Sequence, residues 1–192
     1  CNEMGGVLEK NRIHINPTPA KPVPQEQKIE VASPTPYPPV TVEASNRQYA
    51  QLLRYDLASS HSEFTSLAQY IYQSWILEAS YPQIAETMRR IAVVEMRHLD
   101  MIGKLILLLG GVPIYSVAQN NRNVAWNGGM VQYQGAISTC MKNNIVMERT
   151  AIDHYQKQMA KIKDECVRAV LSRIVLDEEI HIQIFSKFLE EQ

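Results

Sequence analysis

Two copies of a Glu-x-x-His pattern occur in the sequence, each within an otherwise apolar helical stripe. Glu95 and His98 form the first copy, and Glu178 and His181 form the second. Residues three apart lie on one face of a helix, about one turn from each other. Carboxylate and imidazole groups at this spacing are common metal ligands, so the pattern predicts a metal site inside a helical protein.

Two single glutamates, Glu63 and Glu148, lie on two further apolar stripes. A tyrosine follows each of them by seven residues, Tyr70 in the first half and Tyr155 in the second. We predict these tyrosines as buried core residues with hydrogen-bonded hydroxyls, or alternatively as donors to the metal ligands or as oxidisable groups. The predicted ligands are four glutamates and two histidines: Glu63, Glu95, His98, Glu148, Glu178 and His181.

Charge explains why these residues are interpreted as a set. A lone glutamate on an apolar stripe can extend to solvent, whereas four carboxylates buried at one level repel each other and lose their hydration. Two divalent cations would balance the four negative charges, and the imidazoles would complete the coordination. Because thiolates are absent from the set, we expect two iron or manganese ions per chain.

The elements that must position these ligands are four helices of about 30 residues each. Apolar residues at steps of three and four predict the first helix over 46–78 and the third over 132–162. On the first helix the predicted buried stripe is Leu53, Leu57, Phe64, Leu67, Ile71 and Trp75.

Capping residues delimit the other two helices. We predict Ser80 as the N-cap of the second helix, with Pro82 near its first position and Gln83 completing a capping box. Gly110 and the residues after it end that helix, and Asp164 caps the fourth. No segment shows a strand pattern.

Spacing predicts how the helices are connected. The midpoint between Glu63 and Glu95 falls at residue 79 and that between Glu148 and Glu178 at residue 163, both beside predicted turns. In two antiparallel hairpins each pair of glutamates therefore lies at one level. Residues 112–131 can span about 66 Å, so the predicted all-α fold is a bundle of two hairpins joined by a long crossover.

The first 40 residues hold eight of the ten prolines and few large aliphatic residues. Proline prevents regular helix, and a segment this poor in apolar residues cannot form a core. We predict that 1–45 is an extended or disordered proline-rich arm and that 46–192 is the helical bundle. The alternative is a strap over a neighbouring subunit.

Composition limits the partners and the compartment. With 19 Lys and Arg against 20 Asp and Glu, the chain lacks the basic field that binds nucleic acid or an anionic membrane. The three cysteines have no CxxC spacing, which favours a reducing, cytoplasmic location. Cys140 and Cys166 fall at different levels of the bundle, so they are not expected to pair. A chain beginning at Cys1 indicates processing or a missing preceding stretch.

The residues Glu95-Met-Arg-His98, the run Leu-Ile-Leu-Leu-Leu-Gly-Gly that follows, and Asp-Glu-Glu-Ile-His181 resemble the ferritin-like superfamily. The similarity covers about 46–190 and is to its rubrerythrin di-iron-binding and manganese-catalase-like branch. It implies a ferritin-like four-helix bundle, and the six predicted ligands match those of bacterioferritins and manganese catalases. Rubrerythrins carry a further ligand glutamate and a rubredoxin module, whereas here Ile145 and Ala151 lie one turn from Glu148 and no cysteines have CxxC spacing. A rubrerythrin-type peroxidase with its own electron-transfer centre is therefore not expected.

The resemblance implies a dinuclear iron or manganese protein that reacts with O2 or H2O2, by ferroxidase or by catalase-type chemistry. The alternative is a metal-binding structural protein of a bacterial coat or surface layer with little turnover. An iron-storage cage is a weaker third hypothesis. Cage-forming bacterioferritins close their shell with a short fifth helix, whereas here the 11 residues after His181 are needed to finish the fourth helix. We expect a homodimer or small homo-oligomer. Trp126 is predicted to cover the site, and Glu179 to face solvent.

Overall fold

The computed structural model describes residues 29–119, 122–133 and 135–191. Its helices are α1 (Arg47–Ala58), α2 (Glu63–Leu77), α3 (Pro82–Leu108), α4 (Ile137–Met159) and α5 (Glu165–Glu190). Helix α2 packs along α3 and α4 packs along α5, with short turns between the members of each pair. The predicted bundle of two helical hairpins joined by a crossover is confirmed.

The first predicted helix, over 46–78, is interrupted. Helix α1 ends at Ala58 and α2 begins at Glu63, so the prediction of one continuous helix is wrong. Serines cause the break because their hydroxyls compete for backbone groups. The Ser62 hydroxyl donates to the carbonyl of Ser59 at 2.8 Å and accepts from the amide of Thr65 at 3.3 Å. Glu63 consequently occupies the first turn of a new helix.

The buried face of α2 also differs from the predicted stripe. Tyr70 is fully buried, whereas Trp75 is 68 % exposed. Five residues separate the two, which places Trp75 about 140° around the helix from the core. The core-facing positions of α2 instead follow the line Glu63, Tyr70 and Leu77.

Two of the three predicted helix boundaries are confirmed. Helix α3 ends in a Schellman turn, in which Gly110 has a φ of 83° and the amide of Gly111 bonds the carbonyl of Ile106 at 2.9 Å. The side chain of Asp164 caps α5 by accepting from the amide of Val167.

The N-cap predicted at Ser80 is wrong. Tyr81 occupies the N-cap position of α3 without a side-chain hydrogen bond, and Pro82 is in the first turn. The amide of Ser80 instead bonds the carbonyl of Leu77 at 3.2 Å. Ser80 therefore belongs to the turn that follows α2.

The crossover between α3 and α4 contains secondary structure that the sequence pattern did not predict. Strands β1 (Ser116–Gln119) and β2 (Arg122–Ala125) form an antiparallel hairpin, and a short 3₁₀ turn follows over Gly128–Met130. The guanidinium of Arg54 on α1 donates to the carbonyl of Ser116 at 2.6 Å and 3.1 Å. These bonds hold the start of β1 against α1.

Two apolar clusters fill the bundle, one on each side of a polar level. One cluster includes Leu53, Ile102, Leu105, Leu171 and Ile174. The other includes Met88, Ile91, Met141, Phe185 and Phe188. The Glu-x-x-His residues of α3 and α5 lie between these clusters in sequence and are fully buried. The predicted ligands therefore occupy a low-dielectric environment.

The arm over 29–46 has no regular structure and lies along α5 of its own chain. The amide of Glu43 donates to the Asp164 carboxylate at 2.8 Å, and the Arg173 guanidinium donates to the carbonyl of Thr35 at 2.7 Å. Residues 1–28, which belong to the predicted arm, lie outside the described residues. The division of the chain at residue 45 stays a prediction.

Two further observations concern the described residues. Among them, helices long and apolar enough to cross a membrane are absent. Cys140 and Cys166 are not joined by a disulfide, as predicted.

Candidate metal centre

The structure brings the six predicted ligands together in the middle of the bundle. Ligand atoms of one group of four side chains lie within 4.8 Å of one another, and so do those of a second group. Each of the six side chains is at most 3 % exposed. The first group is Glu63, Glu95, His98 and Glu178, and the second is Glu95, Glu148, Glu178 and His181.

Each helix of the bundle contributes in a way that its sequence explains. The serine break places Glu63 at the start of α2, where the helix dipole favours a carboxylate. Helix α4 supplies Glu148, and α3 and α5 each supply one Glu-x-x-His pair. Glu95 and Glu178 belong to both groups.

Both histidines point Nδ1 towards carboxylate oxygens. His98 Nδ1 lies 3.2 Å from Glu95, 3.3 Å from Glu63 and 3.3 Å from Glu178. His181 Nδ1 lies 2.9 Å from Glu178, 3.1 Å from Glu95 and 3.6 Å from Glu148. Each Nδ1 thus faces three carboxylates, one from its own helix and two from other helices.

The opposite ring nitrogens have partners outside the cluster. His98 Nε2 lies 3.0 Å from Asp177 Oδ2, and His181 Nε2 lies 3.0 Å from the carbonyl oxygen of Val31. A backbone carbonyl only accepts hydrogen bonds, so Nε2 of His181 carries a proton. The remaining ring nitrogen, Nδ1, faces carboxylate oxygens, so it can either donate a proton to them or, in a neutral imidazole, bind a cation that lies between them.

Two tyrosines connect the halves of the centre. The Tyr70 hydroxyl on α2 donates to Glu148 on α4, and the Tyr155 hydroxyl on α4 donates to Glu63 on α2. Both tyrosines are at most 1 % exposed. The prediction of buried tyrosines with hydrogen-bonded hydroxyls is confirmed. Because the acceptors are Glu148 and Glu63, the hydroxyls are also donors to predicted ligands, as the alternative stated.

Electrostatics shows that the cluster attracts positive charge. Burial and the charge of Glu178 raise the pKa of Glu148 to about 7, and the same two causes raise the pKa of Glu95. Burial lowers the pKa of the His98 imidazole, but the charges of Glu178 and Glu63 more than compensate, so the pKa lies well above its ordinary value. The pKa of His181 is likewise well above its ordinary value, because the negative charges around it, chiefly that of Glu95, outweigh the effect of burial.

The donor set fits a pair of transition-metal ions. Glu95 Oε1 is buried without a hydrogen-bond partner among the described residues, although His181 Nδ1 lies 3.1 Å away. An oxygen left without a donor in the core is costly unless a cation binds it. Carboxylate and imidazole donors without thiolate suit iron or manganese. The assignment of the six residues as metal ligands stays a prediction.

The pattern of the sequence did not identify Asp177, which is fully buried next to the cluster. It accepts from His98 Nε2, from the Tyr37 hydroxyl and from the Ser33 amide, and it pairs with Arg173 at 2.7 Å. Burial would raise the pKa of this carboxyl, but those donors hold the pKa well below its ordinary range.

Helical spacing contains a signal for Asp177. It lies four residues after Arg173 and four before His181, which places all three on one side of α5. The contacts of Val31, Ser33 and Tyr37 have no such signal, because they depend on where the arm lies.

Other roles were predicted from the sequence for two neighbouring residues, Glu179 and Trp126. Glu179 is exposed, as predicted. Trp126 packs its ring 4.4 Å from that of Phe64 and donates Nε1–H to Thr65 at 2.9 Å. It therefore covers the start of α2, next to Glu63.

A second buried acid lies on α1, outside the cluster. Asp56 is 4 % exposed and accepts from Gln158 Nε2 at 2.6 Å, and His154 Nε2 lies 3.6 Å away. Burial raises the pKa of this carboxyl well above its ordinary value, and the Gln158 bond offsets only part of the shift.

Comparison with known proteins agrees with this geometry. A family model described as a ferritin-like domain matches residues 58–192. The match covers both hairpins from the end of α1 onward and includes all six predicted ligands.

Individual relatives extend the comparison. A probable manganese catalase from Clostridium acetobutylicum is 25 % identical over 168 residues, covering 78 % of this chain and 74 % of that protein. A bacterioferritin from Mycobacterium leprae is 32 % identical over 128 residues, covering 63 % of this chain and 72 % of that protein. The crystal structure of KatB, a manganese catalase from Anabaena PCC7120, superposes with a TM-score of 0.73 and 25 % identity, covering 83 % of this chain and 78 % of that one.

Proposed function

Because the chain belongs to the ferritin-like domain family, we propose that it is a dinuclear metal protein that decomposes hydrogen peroxide. One observation carries the proposal: two groups of four ligand side chains share Glu95 and Glu178. Glu95 and Glu178 would therefore contribute to the binding of both ions. The ligands would be Glu63, Glu95, His98, Glu148, Glu178 and His181.

Charge and donor type support manganese or iron as the bound pair. Four carboxylates balance two divalent ions, and the two imidazoles add one neutral donor to each ion. Such a pair supplies reversible two-electron redox chemistry when bound. The protein side chains hold the pair, fix the orientation of its carboxylates through Tyr70 and Tyr155, and exclude bulk water.

The burial of the predicted ligands favours a small substrate. None of the six predicted ligand side chains is more than 3 % exposed, so a large organic molecule has no access to the centre in this conformation. Hydrogen peroxide is small and its disproportionation is balanced without another reductant, since two molecules yield two of water and one of O2. Similarity to two manganese catalases over more than three quarters of this chain favours manganese and peroxide.

A second candidate is oxidation of ferrous iron by O2 at the same centre. The bacterioferritin relative favours it, with a higher identity over a shorter part of this chain. The donor set does not discriminate between the two metals, because carboxylate and imidazole bind both.

The test compares two adjacent glutamates on α5. Protein produced with manganese or with iron should contain up to two ions per chain, and the manganese form should evolve O2 from H2O2. Glu178→Gln should lose most of the metal and of the O2 evolution, whereas Glu179→Gln, at an exposed position, should retain both.

Each other outcome has a defined meaning. Rapid oxidation of ferrous iron without O2 evolution would favour the second candidate. Metal-loaded protein that turns over neither substrate would favour the structural alternative, an assembly protein of a coat or layer. Full metal content in Glu178→Gln would contradict the site itself.

A further inference from the structure

The described arm, 29–46, contacts the outer side of both histidines of the centre. The carbonyl of Val31 accepts directly from His181 Nε2 at 3.0 Å. Ser33 and Tyr37 both donate to Asp177, which accepts in turn from His98 Nε2 at 3.0 Å. The arm is thus one hydrogen bond away from His181 and two away from His98.

A clamp on α5 holds the arm at this place. Arg173, which is 3 % exposed, donates to the carbonyls of Thr35 at 2.7 Å and Ser33 at 2.9 Å. The Tyr37 ring packs against two guanidinium groups, with Arg97 at 3.8 Å and Arg173 at 3.9 Å from its centre. Cation–π contacts of this kind are worth more when they are shielded from water. Tyr37 therefore combines an anchor, its ring, with a hydrogen-bond donor, its hydroxyl.

We propose that the arm is a positioning element of the metal centre, which orients both histidine rings through Val31 and Asp177 and so retains both ions. The inference rests on the proposed function, because it requires metal at the six ligands. A histidine ring can rotate about its χ2 angle, and a fixed acceptor at Nε2 keeps Nδ1 directed at the metal. Loss of such an outer partner typically lowers metal affinity by about 10-fold to 100-fold.

Two substitutions at Tyr37 separate the roles of the ring and the hydroxyl. Tyr37→Phe keeps the ring against the arginines and removes only the bond to Asp177, so it should affect the ion bound by His98. Tyr37→Ala also removes the anchor, so it should loosen Val31 and affect the ion bound by His181 as well. Glu30→Ala, at an exposed arm residue, is the matched control.

The probe is Co²⁺ loaded into the full-length, metal-free protein. Imidazole N–H protons of histidines that ligate Co²⁺ give strongly shifted proton NMR signals, which are visible only when exchange with water is slow. We expect two such signals in the wild type and in Glu30→Ala. Tyr37→Phe should shift or broaden one of them, and Tyr37→Ala should do so to both. Release of Co²⁺ to excess chelator should accelerate about 10-fold for one ion in Tyr37→Phe and about 10-fold to 100-fold for both in Tyr37→Ala.

The outcomes distinguish this inference from the function on which it rests. A wild type that binds no Co²⁺ at the histidines would overturn both. A wild type that binds two ions, with Tyr37→Phe unchanged in signals and release rate, would overturn the arm's role alone. If Tyr37→Ala loses helical content by circular dichroism, Tyr37→Phe decides, because it preserves the packed ring.

Discussion

The two hairpins of the bundle build the same half-site from matching residues, yet they secure it differently. In each half a single glutamate, a Glu-x-x-His pair and a tyrosine recur in the same arrangement. The residue before the paired glutamate differs, since it is Val94 in the first half and Asp177 in the second. Val94 therefore occupies the position in the first half that Asp177 occupies in the second, but its side chain has no hydrogen-bond acceptor.

This difference extends to the outer hydrogen bonds of the two histidines. Asp177 serves His98 of the opposite hairpin, whereas His181 lacks a matching carboxylate and bonds the carbonyl of Val31 instead. One backbone group of the arm thus supplies what the first hairpin lacks. The inner ligands follow the repeat, and the outer hydrogen bonds depend on a segment outside it.

The largest effect should come from removing both histidines. In His98→Ala/His181→Ala each half loses its only nitrogen donor, so the metal content should fall from up to two ions per chain to nearly none. Elemental analysis after purification without chelator measures this. His61→Ala, in the loop between α1 and α2, is the control and should keep full occupancy. Unchanged metal content in the double variant would refute the six-ligand assignment.

The outer surfaces of the two halves also differ, which predicts where the chain self-associates. Large exposed apolar side chains on the first hairpin include Trp75, Val93, Met96 and Leu107, whereas those on the helices of the second are Val146 and Leu176 among the described residues. We expect a two-fold dimer through the first hairpin. Light scattering should show half the mass for Leu107→Glu and an unchanged dimer for Val146→Glu. Hollow, iron-loaded particles would instead support storage.

The two tyrosines test whether the halves are energetically equivalent. Tyr70→Phe and Tyr155→Phe each remove one hydrogen bond to a buried carboxylate, which should lower the unfolding free energy by about 1.5–3 kcal/mol. Urea unfolding of the metal-free proteins should give similar losses for both. Tyr72→Phe, on α2 but outside the centre, should unfold like the wild type. A loss confined to one variant would show that the symmetry is geometric only.

The smallest effect concerns a position where the halves differ in charge. Seven residues before the single glutamate the first half has Asp56 and the second has Met141, and both are buried. Burial raises the folded pKa of Asp56 above its ordinary value of 3.8, so the folded state binds this proton more tightly than the unfolded state. Stability is therefore lost as pH rises above about 4, and the loss persists at neutral pH.

Asp56→Asn removes that penalty. At pH 8 its melting temperature should exceed that of the wild type by a few degrees, corresponding to about 1 kcal/mol, and the gain should vanish near pH 4. Asp153→Asn replaces an exposed acid that pairs with Lys157 and should change stability less at either pH. A gain that grew on acidification would contradict the sign of the pKa shift.

Local pattern alone was enough to predict the two hairpins and to choose the six candidate ligands. Glu-x-x-His spacing and the caps at Gly110 and Asp164 depend on residues within one or two helical turns, where geometry follows directly from the backbone period. The turn midpoints use glutamates about 30 residues apart, but within one antiparallel hairpin. The matching positions in the two halves further predicted that the three ligands of each hairpin lie at the same height along the bundle. Such signals survive in a single sequence because each is complete within a short segment.

The tertiary structure decided what depends on segments far apart in the chain. The arm reaches His181 across 150 residues and Asp177 across 140 to 144, and nothing in its proline-rich sequence specifies that path. The exposure of Trp75 was likewise missed, because the phase of a helix depends on which face finds a partner. The break before α2 was missed for another reason, since apolar periodicity does not register the local serine hydrogen bonds that end α1. Local periodicity determines which residues can share a face, whereas packing of the whole chain determines which neighbour each face meets.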